Sequence, residues 1–196
     1  MTLPKGAELE ARLAGGVHLW DVSHLLPRTK STKRDEGGID RLFVHHSGAL
    51  GRPGFAGALA STRYVVTKRE PAFPGPAYTY WIPAEDYRDD EGALVVLRLN
   101  PDSERSWHTG GKANTRGVAV ALQGSTTARP LTHSHEECLE ALLPYCIHRY
   151  GLVMPEALSF HAEADKHGGR KKTSCPGIHA EAWIRGYRRG WAAPAA

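Results

Sequence analysis

The chain has 196 residues, enough to bury the core of one domain without support from disulfides or structural metals. Its apolar content of 41% is ordinary for a globular protein, and no apolar run is long enough for a bilayer-spanning helix, so we expect no membrane insertion. The formal net charge of +4 is a modest excess and does not by itself indicate a nucleic-acid partner.

The N-terminal region shows no strong periodic pattern. It begins with charged residues but lacks the apolar segment of a Sec signal peptide, so we expect the protein to start in the cytoplasm. Residues 24–38 hold a proline, a basic cluster and a glycine pair, which are typical of a linker or mobile loop. We therefore predict a loosely attached N-terminal arm and linker over residues 1–38, followed by one domain over residues 39–196.

Four apolar segments in the middle of the chain predict strands. Residues 42–47 (LFVHHS) form a β-branched and aromatic run that is typical of a buried strand. Residues 77–83 and 93–99 flank a polar stretch and predict a hairpin, whereas residues 117–124 (GVAVALQG) predict a central strand that is buried on both faces. Residues 53–69 are ambiguous and predict a short helix.

The last third of the chain alternates helix and strand. Residues 133–150 carry apolar side chains at three- and four-residue spacing, with a capping-box pattern from Ser134 and a glycine stop at Gly151. Residues 157–161 predict a short strand, and residues 178–191 predict a final helix. The predicted fold class is therefore α/β, a single domain with a mixed central β-sheet flanked by α-helices.

The three cysteines do not form the disulfide framework of a small secreted protein. Cys138 and Cys146 lie within the predicted helix, and we interpret both as small packing residues. Cys175 instead follows the polar and basic residues 171–174, a setting that favours the thiolate. It is therefore a candidate nucleophile or metal ligand.

Histidines occur at strand ends from which they could join Cys175. His45 or His46 ends the strand at residues 42–47, and His161 follows a later strand. Two imidazoles and a thiolate around a zinc ion leave one coordination position for water, as in catalytic zinc sites. The sequence lacks the paired CxxC spacings that are typical of structural zinc sites.

Five stretches in chain order carry a resemblance to a known family: FVHHS, AYTYW, SWHTGGKANTRGVAVALQG, SFHAE and KTSCPG. Through these stretches the chain resembles, over roughly residues 40–185, the type 2 N-acetylmuramoyl-L-alanine amidases. That family includes phage lysozyme-like amidases and the peptidoglycan recognition proteins. The resemblance implies a mixed sheet flanked by helices, one Zn²⁺ ion, and hydrolysis of the amide between N-acetylmuramic acid and L-alanine in peptidoglycan.

The resemblance also implies a set of metal ligands. His45 and Cys175 match the first histidine and the cysteine of the family, and His46 then points to the opposite face of its strand. The family's second histidine has two candidates in this chain. Relatives often place it eight residues before the cysteine, which is the position of His167, whereas His161 at the end of a predicted strand lies fourteen residues before it. We choose His161, since an apolar strand delivers it and the DKHGGR stretch that follows resembles an inserted loop.

Further site residues follow from the same resemblance. Tyr78 matches the active-site tyrosine, and Lys172 and Thr173 compete for a position near the cysteine that assists catalysis in relatives. We expect a donor from this group to stabilise the oxyanion that develops on the substrate. His108 and Asn114 match positions that line the cleft and hold substrate.

Two other functions stay open on the sequence alone. The first is a metal-free recognition module that binds peptidoglycan, although such relatives typically lose the cysteine ligand that this chain keeps. The second is a cysteine hydrolase in which Cys175 is the nucleophile and a histidine is the base. Nucleic-acid binding is not expected, because the basic residues are dispersed along the chain.

The biological setting that we expect is a phage or prophage endolysin. Such an enzyme needs no signal peptide of its own, because it is released from the host cytoplasm to the cell wall; a cytoplasmic enzyme is the other setting that fits. We expect the protein to act on peptidoglycan as a monomer.

Overall fold

A computed structural model describes residues 3–48, 51–169 and 173–191. Within these ranges the strands form one seven-stranded sheet in the order β1-β2-β5-β4-β6-β3-β7. The pairs β1/β2 and β4/β5 are antiparallel and the other neighbours are parallel, so the sheet is mixed as predicted. The strands are β1 (Glu8–Leu13), β2 (Val17–Asp21), β3 (Arg41–His46), β4 (Tyr80–Ile82), β5 (Leu94–Arg98), β6 (Gly117–Leu122) and β7 (Leu158–Phe160).

Helices cover both faces of the sheet, which confirms the predicted α/β fold class. The helices are α1 (Gly54–Thr67), α2 (Ala113–Arg116), α3 (His133–Tyr150) and α4 (Ile178–Gly190). Leu139 of α3 and Ile184 of α4 pack in the larger core cluster on one face, whereas Ala58 of α1 packs in a second cluster on the other. Among the described residues, no helix is both long and apolar enough to cross a bilayer.

The apolar segments in the middle of the chain form the inner strands. The predicted strand at residues 42–47 is β3, the predicted hairpin is the antiparallel pair β4/β5, and the predicted central strand is β6. Every residue of β6 is buried. These predictions are confirmed. The strands could be recognised because burial on both faces of a sheet leaves an unbroken apolar run in the sequence.

Helix α3 has the predicted bounds, residues 133–150, but a different N-cap from the one that the sequence pattern indicates. Its N-cap is Thr132, whose hydroxyl accepts a hydrogen bond from the amide of His135 at 3.2 Å, and the His135 ring accepts from the Thr132 amide in return. The capping box predicted at Ser134 is therefore wrong, because a histidine takes the place of the usual Glu or Gln. The predicted stop is confirmed, since Gly151 caps the helix with a φ of 60°.

The N-terminal residues are part of the sheet, so the prediction of a loosely attached arm is wrong for β1 and β2. Strand β2 pairs in parallel with β5, with Leu19 opposite Val96. Both Val17 and Leu19 are fully buried in the larger core cluster. The sequence reading missed this because the partner strand lies more than 70 residues further along the chain, where no local pattern reveals it.

The segment predicted as a mobile linker is held in place by buried hydrogen bonds. We call residues 31–34 the strap. The Ser31 hydroxyl and the Thr32 amide both donate to the Glu104 carboxylate at 2.6 Å. The Arg34 guanidinium is buried and donates to the carbonyls of Asp102 at 2.7 Å and Gly117 at 2.6 Å. The prediction of a mobile loop is therefore wrong for the strap.

If β1 and β2 belong to the cooperative fold, a cavity in β2 should destabilise the whole domain. We expect Leu19→Ala to lower the free energy of unfolding by about 2–5 kcal/mol, because the side chain is fully buried. Leu9→Ala in the neighbouring strand is the matched control, since Leu9 is 36% exposed and should cost less than about 1 kcal/mol. Urea unfolding followed by circular dichroism measures both; equal stability of Leu19→Ala and wild type would contradict the assignment.

Candidate metal centre

The parallel pairing of β3 with β7 brings two histidines side by side. In this register Val44 lies opposite Phe160, so the residues that follow them, His45 and His161, lie next to each other. Their ring centroids are 4.6 Å apart. His45 is fully buried on the sheet face that α1 covers, and His161 is half-buried at the start of a 3₁₀ helix that follows β7.

Cys175 lies at the same edge of the sheet. The Cys175 carbonyl accepts from the Ala162 amide at 2.8 Å, and its Sγ accepts from the His46 amide at 3.3 Å. Gly177 adopts a φ of 93° two residues later, where a β-carbon would collide with Thr127. The CPG sequence therefore allows the backbone to turn tightly against the neighbouring loop.

The donor atoms of His45, His161 and Cys175 all lie within 4.8 Å of one another. Cys175 Sγ is 3.7 Å from His45 Nδ1. Tetrahedral zinc with ordinary Zn–S and Zn–N bond lengths separates such a pair by about 3.6 Å. The two imidazoles and one thiol thus fit a zinc ion in both donor type and spacing.

Burial determines the protonation of these groups. It holds the pKa of His45 well below its usual value, with smaller contributions from His108, His161 and His46. Burial also raises the pKa of the Cys175 thiol to about 12, although the hydrogen bond from the His46 amide acts in the opposite direction. His45 is therefore neutral and able to bind a cation, whereas Cys175 has to lose its proton to do so.

The remaining candidate histidines lie outside this cluster. The His46 ring points to the other side of β3, where its Nδ1 accepts from the Thr126 amide at 3.2 Å. The His167 ring lies beside Phe43, and its Nε2 is 3.1 Å from Ser159 Oγ. Of the two alternatives for the second histidine, the structure thus brings His161, and not His167, to His45 and Cys175.

Tyr78 and Thr173 lie close to the cluster. The Tyr78 ring centroid is 5.4 Å from that of His45, and burial, with a smaller effect of Cys175, raises the pKa of its phenol. The Thr173 hydroxyl accepts from the Cys175 amide at 3.1 Å, so it also shapes the ligand loop. Lys172, the other predicted assisting residue, lies outside the described residues.

His108 and Asn114 line the cleft but also have internal partners. His108 Nδ1 is 3.0 Å from His45 Nε2, so this ring contacts a candidate ligand directly. The Asn114 side-chain oxygen accepts from the amides of His108, Thr109 and Gly110 at 2.8–3.1 Å. Asn114 therefore organises the loop at residues 108–110, in addition to any role in holding substrate.

A cleft of about 910 Å³ opens beside the cluster. Its wall combines residues of α1 with the loops around residues 69–78 and 105–115, and it reaches His161. The lining also includes Phe73 and Trp107, whose ring centroids are 6.0 Å apart, with the guanidinium of Arg69 over Phe73 and that of Arg105 over Trp107. The metal-ligand cluster thus borders, through His161, a partly aromatic groove.

Comparison with known proteins identifies the family. The sequence profile of the N-acetylmuramoyl-L-alanine amidases matches residues 35–178, almost three quarters of the chain. The chain belongs to this family. Among proteins of curated function, none has a sequence that matches this amidase-family chain significantly.

Solved structures show the same fold at low sequence identity. The endolysin amidase LysCS from Clostridium intestinale URNW is similar with a TM-score of 0.64 at 16% identity, over 86% of this chain and 93% of that one. Drosophila PGRP-LB, a peptidoglycan recognition protein, has a TM-score of 0.64 at 15% identity, over 92% and 99%. The Ph2119 endolysin from a Thermus scotoductus bacteriophage has a TM-score of 0.55 at 15% identity, over 83% and 88%.

Several cleft residues of this amidase-family domain were not predicted from the sequence. Tyr64 of α1, Phe73 and Trp107 line the groove, and the first two come from segments without a recognisable motif. Trp107 directly precedes His108 in the SWHTGG stretch, so its place in the cleft could have been predicted from its sequence neighbour. Tyr64 and Phe73 come from the helix that the sequence leaves ambiguous and from the loop that follows it.

Proposed function

We propose that this chain is a zinc-dependent amidase that hydrolyses the bond between N-acetylmuramic acid and L-alanine in bacterial peptidoglycan. The observation that carries the proposal is the cluster of His45, His161 and Cys175, of which His161 also lines the cleft. Membership of the amidase family and the fold shared with LysCS support it. We further propose a phage or prophage endolysin that acts as a monomer.

His45, His161 and Cys175 are the residues that would hold the zinc ion. When bound, zinc supplies Lewis acidity that activates water and polarises the scissile carbonyl. The chain itself supplies neutral imidazole at His45 because that ring is buried, and it directs the His46 amide at the Cys175 sulfur. A backbone amide at 3.3 Å stabilises negative charge on this sulfur.

Tyr78 is the described residue best placed to donate a hydrogen bond to the substrate oxyanion. Its ring lies beside His45 and lines the cleft. Because burial raises the pKa of the phenol, the hydroxyl keeps its proton at neutral pH and remains a donor. Thr173 and Lys172 are the other donors that we propose from their sequence positions next to Cys175.

The groove supports a substrate of mixed polarity. Its lining includes His161 and the aromatic pair Phe73 and Trp107, and the guanidinium groups of Arg69 and Arg105 beside that pair offer positive charge. A muropeptide combines sugar rings with a peptide that carries carboxylates. His108 and Asn114, as cleft-lining residues, would contact this substrate near the scissile bond.

A cysteine hydrolase is the second candidate, because Cys175 Sγ lies only 3.7 Å from His45 Nδ1. Such a nucleophile needs a lowered thiol pKa. Here burial raises the pKa of Cys175 to about 12, which disfavours the thiolate unless a cation binds. A metal-free recognition module is disfavoured by the presence of all three donors in one cluster.

We expect the purified protein to bind one zinc ion per chain, measured by elemental analysis after dialysis. His45→Ala, His161→Ala and Cys175→Ser should each lose the metal, because each removes one of three donors. His167→Ala is the matched control and should keep it, since His167 contacts Ser159 instead. Full activity of metal-free wild type would contradict both the site and the mechanism.

The bond that is cut can be identified from the products. Digestion of peptidoglycan should release peptides with a free L-alanine amino terminus and leave the glycan chains intact, and chelation should stop the reaction. Dinitrophenylation of new amino termini and a reducing-sugar assay measure the two outcomes. New reducing ends without new amino termini would indicate a glycosidase, and tight muropeptide binding without cleavage would indicate a recognition module.

Tyr78→Phe should keep the zinc ion and lower kcat by about 10²–10³-fold, because it removes only the hydroxyl donor. Tyr64→Phe is the matched control, since Tyr64 lines the same cleft but is 60% exposed and lies in α1. Steady-state kinetics on a soluble muropeptide separates the two variants. Equal rates for Tyr78→Phe and wild type would remove Tyr78 from the mechanism.

A further inference from the structure

The two ring nitrogens of His45 have different partners. Nδ1 lies 3.7 Å from Cys175 Sγ, on the side of the candidate metal site. Nε2 lies 3.0 Å from Nδ1 of His108, within ordinary hydrogen-bond distance. Both rings are almost completely buried, with exposed fractions of 1% for His45 and 7% for His108.

This geometry determines where the protons lie if His45 binds a cation. A neutral imidazole has one N–H, and the nitrogen that faces the cation has to be bare. The His45 proton then sits on Nε2 and is donated to His108 Nδ1. His108 can accept it only if its own proton is on Nε2.

The His108 ring is held in place from two sides. Its backbone amide donates to Asn114 Oδ1 at 3.1 Å, which anchors the loop that carries it. Its ring packs on Phe43, with centroids 5.3 Å apart and planes inclined at 49°. Phe43 and His45 lie two residues apart on β3, so they project from the same face of the sheet.

We propose that His108 is a positioning residue whose Nδ1 fixes the tautomer and ring orientation of His45 and thereby strengthens binding of a divalent cation at the site. This inference rests on the proposed function. It gives His108 a role beyond the substrate contact expected from its sequence position. A partner that orients a metal-ligating histidine is commonly a carboxylate or a carbonyl, and a neutral imidazole takes that place here.

Three substitutions separate the acceptor atom from simple packing. His108→Leu fills similar space without an acceptor, His108→Asn places an amide oxygen near the former Nδ1, and His108→Gln places its amide one bond further out. We expect zinc affinity, measured by competition with a chromophoric chelator, to fall about 10–100-fold in His108→Leu. His108→Asn should recover most of this loss and His108→Gln should recover less. Wild-type affinity of His108→Leu, or equal losses in the Leu and Asn variants, would overturn the proposal.

A second measurement uses the metal-free wild-type protein and therefore does not depend on the variants folding. Long-range ¹H–¹⁵N correlation spectra should show the His45 proton on Nε2 and the His108 proton on Nε2. A His45 proton on Nδ1 would overturn the proposal. Absence of zinc binding by the wild type, with these tautomers present, would instead count against the proposed function and leave the His45–His108 hydrogen bond established.

Discussion

The register between β3 and β7 is the constraint on which the candidate metal centre depends. Because the strands run in parallel with Val44 opposite Phe160, the residues that follow them emerge side by side at one edge of the sheet. A slip by one residue would send one of the two imidazoles to the opposite face. Cys175 is then held at the same edge by two backbone amides: that of Ala162 donates to its carbonyl and that of His46 donates to its Sγ. Residues 130 positions apart in the chain thus converge without any covalent link.

Burial of this cluster shapes its affinity for cations. The fold tolerates His45 and Cys175 in its interior because both are neutral there: the pKa of the imidazole is held down and that of the thiol is raised. A divalent cation that binds has to displace the thiol proton, whereas the imidazole is already bare on one nitrogen. For the zinc ion that we propose, proton competition would therefore act mainly at Cys175, and affinity should rise with pH. The amide of His46 offsets part of this cost by donating to the sulfur.

Sequence patterns predicted the elements that are buried on both faces and the donors at their ends. Strands β3 and β6 are unbroken apolar runs, and His45, His161 and Cys175 stand at strand ends or in a glycine-bounded loop. The residues alone left His45 and His46 open, and the resemblance to the amidase family was needed to group the three. Strands β1 and β2 were missed because their pairing depends on β5, far away in sequence. Cleft residues such as Tyr64 were missed for a similar reason, since only the packing of α1 against the sheet brings them to the groove.

The strap shows how a segment without periodicity can act on the site. The Arg34 guanidinium is buried, and burying a positive charge costs free energy unless its N–H groups are hydrogen-bonded. Its Nε donates to the Asp102 carbonyl and its Nη1 donates to the Gly117 carbonyl. The pKa of His108 is held well below its usual value first by burial, then by His161, and then by the positive charge of Arg34. A neutral His108 is the form that can accept a hydrogen bond from His45. Arg34 of the strap thus adds a contribution, smaller than those of burial and His161, in the direction that keeps His108 neutral.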